Sequence, residues 1–344
     1  MVVALMLLLV VPSIITFSAD RKALYAPFGE IPVPKKQYRI GVILKTFIND
    51  YFIDLRNGFQ DAADKYGVTV DFFAAPGEND LLIQKQIMED MLARKYDLIC
   101  VNPITPSNLI EPCKKATQMG IPLINTNDAN ISKESQSKHN IKIISFISTD
   151  WNQQLKWHVS YLAKKLGPQG GEVLEIMGFH GSTAALWRHE GFLEEMKKYP
   201  QLKLIATLPG DWDRKKSMDI TADIIQAHPN LSAISASNDN MAMGAIQALK
   251  NAGKLKQVAV LGCDAIPDAI QAIKTGELDG TVAFMQYENG YVSIEAAILY
   301  LEGLGKKIPD TIFANQELWT ADNIDQKISK FSIYYSGLKK LGQQ

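Results

Sequence analysis

The chain is short of cysteine, of metal-type histidine spacing and of clustered charge, and each scarcity closes a class of function. Three cysteines in 344 residues, Cys100, Cys113 and Cys263, are too few and odd in number for a disulfide framework. Two of them sit in apolar runs, DLICV and VAVLGC, where a thiol behaves as a small hydrophobe. All three read as structural. The five histidines, at 139, 158, 180, 189 and 228, show no HExxH or comparable spacing, so no metal site is expected. There is no P-loop and no GxGxxG, and no cofactor is expected. GFHGSTA lacks the GxSxG of a nucleophile elbow. His180 with Ser182 is the best remaining candidate for chemistry, and an enzyme is not expected. Lysine and arginine number 36 against 37 acidic residues, spread along the chain, which gives no basic patch for a nucleic acid.

Charge is also missing from the N-terminus, where no ionisable side chain precedes Asp20. The apolar run Met1–Phe17 is short for a membrane span of roughly 20 residues and fits the core of a secretory signal. Residues 1–18 are therefore expected to be a signal peptide, or an N-terminal anchor if uncleaved. No cysteine stands there to carry a lipid, so a lipoprotein is not expected. Residues 19–37, ADRKALYAPFGEIPVPKKQ, mix proline, charge and isolated aromatics without a period and read as a linker.

What the sequence does have is alternation. Short β-branched runs recur from Tyr38: RIGVIL (39–44), VTVDFF (68–73), DLICV (97–101), IPLINT (121–126) and IKIISFI (141–147). They continue with GEVLEIM (171–177), LKLIATL (202–208), LSAISAS (231–237), VAVLG (258–262) and LDGTVAF (278–284). Between them lie helix-spaced segments, such as Phe52, Leu55, Phe59, Ala62, Ala63 and Tyr66, or Ile83, Ile87, Met91 and Leu92. Strand–helix alternation of this length predicts an α/β fold with parallel sheets. About ten strands is many for one open sheet, which predicts two lobes with a break near Thr149-Asp150.

Polar side chains collect just after these strands. Lys45 and Asn49 follow the first, and Asn125, Asn127 and Asp128 follow the fourth. The second half adds His180, Ser182, Asp211-Trp212-Asp213, Asn238-Asp239 and Asp264. In open α/β sheets, ligands sit outside the carboxyl ends of strands. Two such rims facing each other would offer amides, carboxylates and aromatic faces, which suits a polyhydroxylated small molecule.

The blocks FINDYF (47–52), INTND (124–128), GSTAALWRHEGF (181–192), GDWDR (210–214), ASNDNMAMGAIQAL (236–249) and VLGCDAIPDAI (260–270) resemble those of the ribose-binding-protein group in the same order. That group comprises periplasmic sugar-binding proteins that feed ABC importers. The resemblance implies two Rossmann-like lobes joined by a three-strand hinge, the type 1 periplasmic-binding fold. It implies lobes of residues 38–149 plus 285–317 and 150–284 plus 318–344, with crossings near Thr149, near Phe284–Gln286 and near Glu317–Trp319. Carried over by position, it implies Asn49, Asn127, Asn238 and Asp264 as hydroxyl-binding groups and Tyr51, Phe52 and Trp212 as ring-packing aromatics. Phe52 shares the helical spacing and is expected to serve the core as well. Ribose binders place one arginine after the fourth strand and another early in the GSTAA helix, where Asp128 and Leu186 are read here. Phe284 stands where the family has a glutamine, with Gln286 close by as a substitute, and Lys45 is similar to members that take autoinducer-2 or rhamnose-like compounds. Ribose is therefore disfavoured, and a polyol, deoxy sugar or amino sugar is expected.

Several of these residues have a second reading. Asp128 either faces the ligand or pairs with Lys45. Asn238 and Asp264 can cap helices as well as bind, and Asp239 reads as a pure cap. Arg188 and Glu190 read as a surface or inter-element pair, with Arg188 able to compensate for Leu186 only if the helix register shifts. Trp151, Trp157 and Trp187 read as helix-packing residues. The chain is thus expected to be an exported, periplasmic receptor, peripheral to the membrane and monomeric. It would close on a small sugar or polyol and present it to ABC-transporter permease subunits. The alternative is a receptor for chemotaxis or quorum sensing, with an autoinducer-2-like ligand, acting through a membrane sensor.

Overall fold

The structure, a computed structural model, describes residues 28–331. The leader expected at 1–18 and the first part of the linker lie outside the described residues. In chain order the first elements are β1 (Arg39–Leu44), α1 (Asp50–Tyr66), β2 (Thr69–Ala74), α2 (Leu81–Leu92), β3 (Leu98–Val101), α3 (Ile110–Gln118), β4 (Leu123–Thr126), α4 (Lys133–His139) and β5 (Ile143–Ser148). There follow α5 (Trp151–Leu166), β6 (Gly171–Met177), α6 (Thr183–Met196), β7 (Leu202–Pro209), α7 (Arg214–Ala227), β8 (Leu231–Ala236), α8 (Asp239–Asn251), β9 (Ala259–Cys263), α9 (Pro267–Lys274) and β10 (Gly280–Phe284). The last are α10 (Gln286–Leu301), β11 (Thr311–Phe313), β12 (Gln316–Thr320) and α11 (Ile324–Phe331). All ten expected strands form, with ends within two residues of the apolar runs.

The strands make two six-stranded sheets, ordered β11-β5-β4-β3-β1-β2 and β12-β10-β9-β8-β6-β7. Every pairing is parallel except that of β12, which runs antiparallel to β10. Central strands such as β3, β9 and β10 are buried along their whole length. Helices on both faces cover them, which is why they read as continuous apolar runs rather than alternating ones. The chain passes between sheets three times: after β5, after β10, and at Ala314-Asn315 between β11 and β12. Glu317–Trp319, expected at the third crossing, lies inside β12 of the second sheet. The sequence pattern missed β11 and β12 as strands because neither is an apolar run: each buries a single side chain, Ile312 and Trp319.

The segment after β10 returns to pack on the first sheet. There α10 lies against α1 so closely that a Cβ on Gly58 would come within 1.9 Å of the Tyr287 carbonyl oxygen. One on Gly290 would come within 2.2 Å of the Leu55 oxygen. Glycine at both positions lets the two backbones touch. Two cross-helix bonds seal the pair, Tyr66 OH to Glu295 at 2.8 Å and Tyr287 OH to Asp61 at 2.5 Å.

On α1 the expected stripe faces the core, with Leu55, Phe59, Ala62 and Ala63 fully or nearly fully buried. Burying a side chain of the size of Phe59 contributes about 1.5–3 kcal/mol. On α2 the buried face is Gln84, Met88, Met91 and Leu92, and Ile83 is exposed. The reason is polar. The Gln84 amide donates to the Leu44 and Asn102 carbonyls at 3.0 and 2.9 Å and accepts from Ile104 N–H at 3.0 Å. Three bonds to strand and loop ends hold that face inward and turn Ile83 out. Among the described residues no helix is long and apolar enough to cross a membrane.

Candidate functional site

The carboxyl ends of both sheets face one cleft between the lobes. Lys45, Asn127, Asp128, Asn238 and Asp264 all line it, yet none is more than 4% exposed, so the cleft is closed. With its mouth the cavity holds about 340 Å³. Its first wall comes from the loops after β1, β2 and β4: Lys45, Asn49, Tyr51, Phe52, Glu78, Asn127 and Asp128. The second wall is Ser182, Ala184, Arg188, Trp212, Asn238 and Asp264, and Trp151 and Phe284 sit at the crossings between lobes.

The first wall is a closed hydrogen-bond network. Lys45 Nζ lies 2.5 Å from Asp128 Oδ2, both side chains almost fully buried. The other Asp128 oxygen accepts from Asn102 Nδ2 at 3.0 Å and from Asn127 Nδ2 at 3.1 Å. Asn127 Oδ1 accepts from the Tyr51 hydroxyl. Asp128 pairs with Lys45 and also lines the cavity, so its two readings coexist. Asn49 caps α1, its Oδ1 accepting from Tyr51 N–H at 3.1 Å, while its Nδ2 donates to Glu78 Oε1 at 3.1 Å. Tyr51 packs edge-on against Phe52, with ring centroids 5.0 Å apart, and lies 5.3 Å from Phe284. Phe52 is both a cavity and a core residue.

The second wall is looser. Asn238 caps α8, accepting from Met241 N–H at 2.9 Å, and its Nδ2 has no partner among the described residues. Asp239, expected as the cap, instead accepts from Thr281 Oγ1 at 2.8 Å and from Ile266 N–H at 3.0 Å, beneath the wall. Asp264 leaves β9 at φ 112°, in the left-handed region where strain accumulates at functional positions. Trp212 has φ 64°, and its ring lies over Gly178, where a Cβ would fall 2.0 Å from the indole.

Arg188 corrects the sequence reading. The family arginine was sought at position 186, but Leu186 is 44% exposed, whereas Arg188 is 3% exposed. On a helix, residues 184, 185 and 188 share one face and 186 points away. Arg188 Nε donates to Gln154 at 2.6 Å, and an Nη reaches Asp264 Oδ1 at 3.5 Å. The guanidinium lies 4.8 Å from the Trp151 ring centroid, 5.3 Å from that of Phe284 and 5.7 Å from that of Trp212. It therefore makes no surface pair with Glu190. Trp151 is likewise a cavity residue rather than plain helix packing, its indole N–H donating to Ser148 Oγ at 2.9 Å.

Gln286, expected in the site, opens α10 and lies outside the ring of lining side chains. The β10 strand ends by turning Phe284 into the cavity, and Gln286 is already helical two residues later. Glu78 is the residue the sequence reading overlooked altogether. It sits in PGEND, a turn after an edge strand, and nothing local distinguishes it from a surface acid.

Burial pushes the Glu78 carboxyl up from its ordinary range, against the pull of Lys45 and of the Asn49 hydrogen bond. Burial also pushes Asp264 up to about 7; Arg188 opposes this and the Glu78 charge adds to it. Asp239 is pushed up further by burial and then by Asp264. Beneath the second wall, burial drives His158 down to about 3, so it is neutral. Its Nε2 donates to the Gly262 carbonyl at 2.9 Å and its Nδ1 accepts from Ser235 at 2.8 Å, a structural arrangement. His180 is exposed and Ser182 caps α6, so the two do not form a nucleophile–base pair.

Residues 40–307 match the model of the periplasmic binding protein domain. The D-allose-binding periplasmic protein of Escherichia coli is 37% identical over 268 residues, 78% of this chain and 86% of that protein. The ribose import binding protein of the same organism is 31% identical over 264 residues, 77% of this chain and 85% of that one. Among solved structures, an ABC transporter periplasmic solute binding protein from Actinobacillus succinogenes with bound D-allose superposes with a TM-score of 0.78. It is 26% identical and covers 84% of this chain and 100% of its own. A carbohydrate transporter solute binding protein from Agrobacterium radiobacter, in complex with D-arabinose, superposes at 0.79. It too is 26% identical, over 88% of this chain and 100% of its own.

Proposed function

The chain belongs to the periplasmic binding protein family, and from that premise we propose that it is the extracytoplasmic solute-binding component of an ABC importer. It takes one small sugar into the cleft between its lobes, 38–149 with 285–315 and 150–284 with 316–331. The observation that carries this is the cleft itself. Amide, carboxylate, lysine and arginine groups line one cavity together with the rings of Tyr51, Phe52, Trp151, Trp212 and Phe284. Hydroxyls donate and accept, and apolar sugar faces pack on rings, so each kind of lining group has a use for one ligand class.

The resemblance to an allose binder and the buried Lys45–Asp128 pair favour a hexose of the D-allose kind over ribose. The three crossings between lobes would act as the hinge, and closing would bury the ligand and present one surface to the permease. The chain works in the periplasm as a carrier, and no catalytic step is asked of it.

A thermal-shift screen of D-allose, D-ribose, D-arabinose, myo-inositol, amino sugars and autoinducer-2 tests this. Stabilisation at 100-fold excess over Kd should reach ~2.7 kcal/mol. A flat response to every sugar and polyol would overturn the reading.

A further inference from the structure

Counting hydrogen-bond valences around the cleft separates groups that are spent from groups that are open. Asp128 already accepts three donors, from Lys45, Asn102 and Asn127. Asn127 already serves Tyr51, Asn102 and Asp128. These are the positions where the family resemblance puts the acceptor of the first lobe, and each has only about one acceptor position left. A carboxylate with one partner has most of its accepting capacity open, because its two oxygens together offer about four acceptor positions. Two cleft carboxylates are in that condition. Glu78 has the Asn49 amide alone, and Asp264 has a single long contact to Arg188. One comes from each lobe, both line the same cavity, and each is held above its ordinary range by burial.

We propose that Glu78 is the ligand acceptor of the first lobe, and that the bound sugar bridges Glu78 and Asp264 through hydroxyl donors at two of its positions. The inference rests on the sugar-binding reading above and deepens it. Lys45 occupies one Asp128 oxygen, and the acceptor with the most open capacity on this wall lies in the loop after β2. The two carboxylates repel one another across a closed cleft, so closing is favourable when hydroxyl protons lie between them. The ligand must therefore carry donors at both ends of that span. A sugar lacking the hydroxyl that meets Glu78 forgoes that hydrogen bond in the closed cleft.

The test is titration calorimetry of the full chain with D-allose and its monodeoxy analogues, on the unaltered protein, Glu78→Ala and Glu78→Gln. Glu78→Ala is expected to weaken D-allose by about 100-fold and Glu78→Gln by about 10-fold, since the amide oxygen still accepts one donor. For one deoxy analogue the Glu78→Ala penalty should vanish, which identifies the hydroxyl it meets. The unliganded melting temperature should stay within about 2 °C, as expected for a loop side chain with one hydrogen bond. If the unaltered protein binds D-allose and Glu78→Ala binds it within about twofold, this inference fails and the sugar reading stands. If the unaltered protein binds no sugar, both fail. A penalty equal for every analogue overturns the bridge.

Discussion

The two walls of the cleft are built from the same strand-end loops but spend their polar groups differently. In the first wall Lys45, Asp128, Asn127, Asn102 and Tyr51 bond to one another. In the second wall Asn238 keeps its amide N–H groups open, and Asp264 meets Arg188 only at 3.5 Å. Glu78 apart, the first wall has its polar groups bonded to one another, and the second leaves donors and acceptors open. A receptor that closes by hinge motion gains from this division. A preorganised face loses little freedom on binding, while the opposite face supplies contacts that exist only in the closed state.

The largest effect that would break this contrast is at Lys45. Lys45→Met leaves Asp128 a buried charge without its cation and should destabilise the unliganded protein by about 3–5 kcal/mol, read by urea denaturation. Lys45→Met with Asp128→Leu should recover much of that loss. A loss below about 1 kcal/mol for the single change would mean that the first wall is not the prebuilt one. Arg188→Ala comes next, and it should act on binding more than on folding. We expect sugar affinity to fall by about 2 kcal/mol or more, since Asp264 loses its only cation, with Arg188→Lys recovering part.

A third test is the pH dependence of the second wall. Asp264 in the closed protein is pushed up to about 7. Between the ordinary carboxylate range and that value, the folded chain holds a proton that the unfolded chain has lost. The stability carried by this group is therefore present at low pH and declines as pH rises through about 4 to 7. Asp239, raised for the same reasons, adds with the same sign. Measured as the difference between the unaltered protein and Asp264→Asn, the denaturation midpoint should fall across that window. A flat difference would contradict the assignment. The smallest effect is Gly178→Ala, whose Cβ displaces the Trp212 ring. It should weaken sugar binding by about 1 kcal/mol.

The same contrast explains what the sequence disclosed. β1 through β10 were legible as runs of apolar and β-branched residues, whereas β11 and β12 each bury a single side chain and leave no such run. Asn49, Asn238 and Asp264 were legible because each follows a strand. Arg188 was misread because a family position was assigned two residues early, although Ala184 and Ala185 already marked the inward face of that helix. Ile83 was misread because Gln84, polar by composition, is held inside by three hydrogen bonds. Glu78 left no local signal. Its surroundings come from Asn49, Lys45 and the other lobe, contacts that only the folded chain brings together.

The most direct test of the account is a calorimetric titration of the unaltered protein and of Asp264→Ala with D-allose. One saturable site per chain in the first and none in the second is the result predicted. Absence of any heat of binding with the unaltered protein, or undiminished binding in Asp264→Ala, would contradict it.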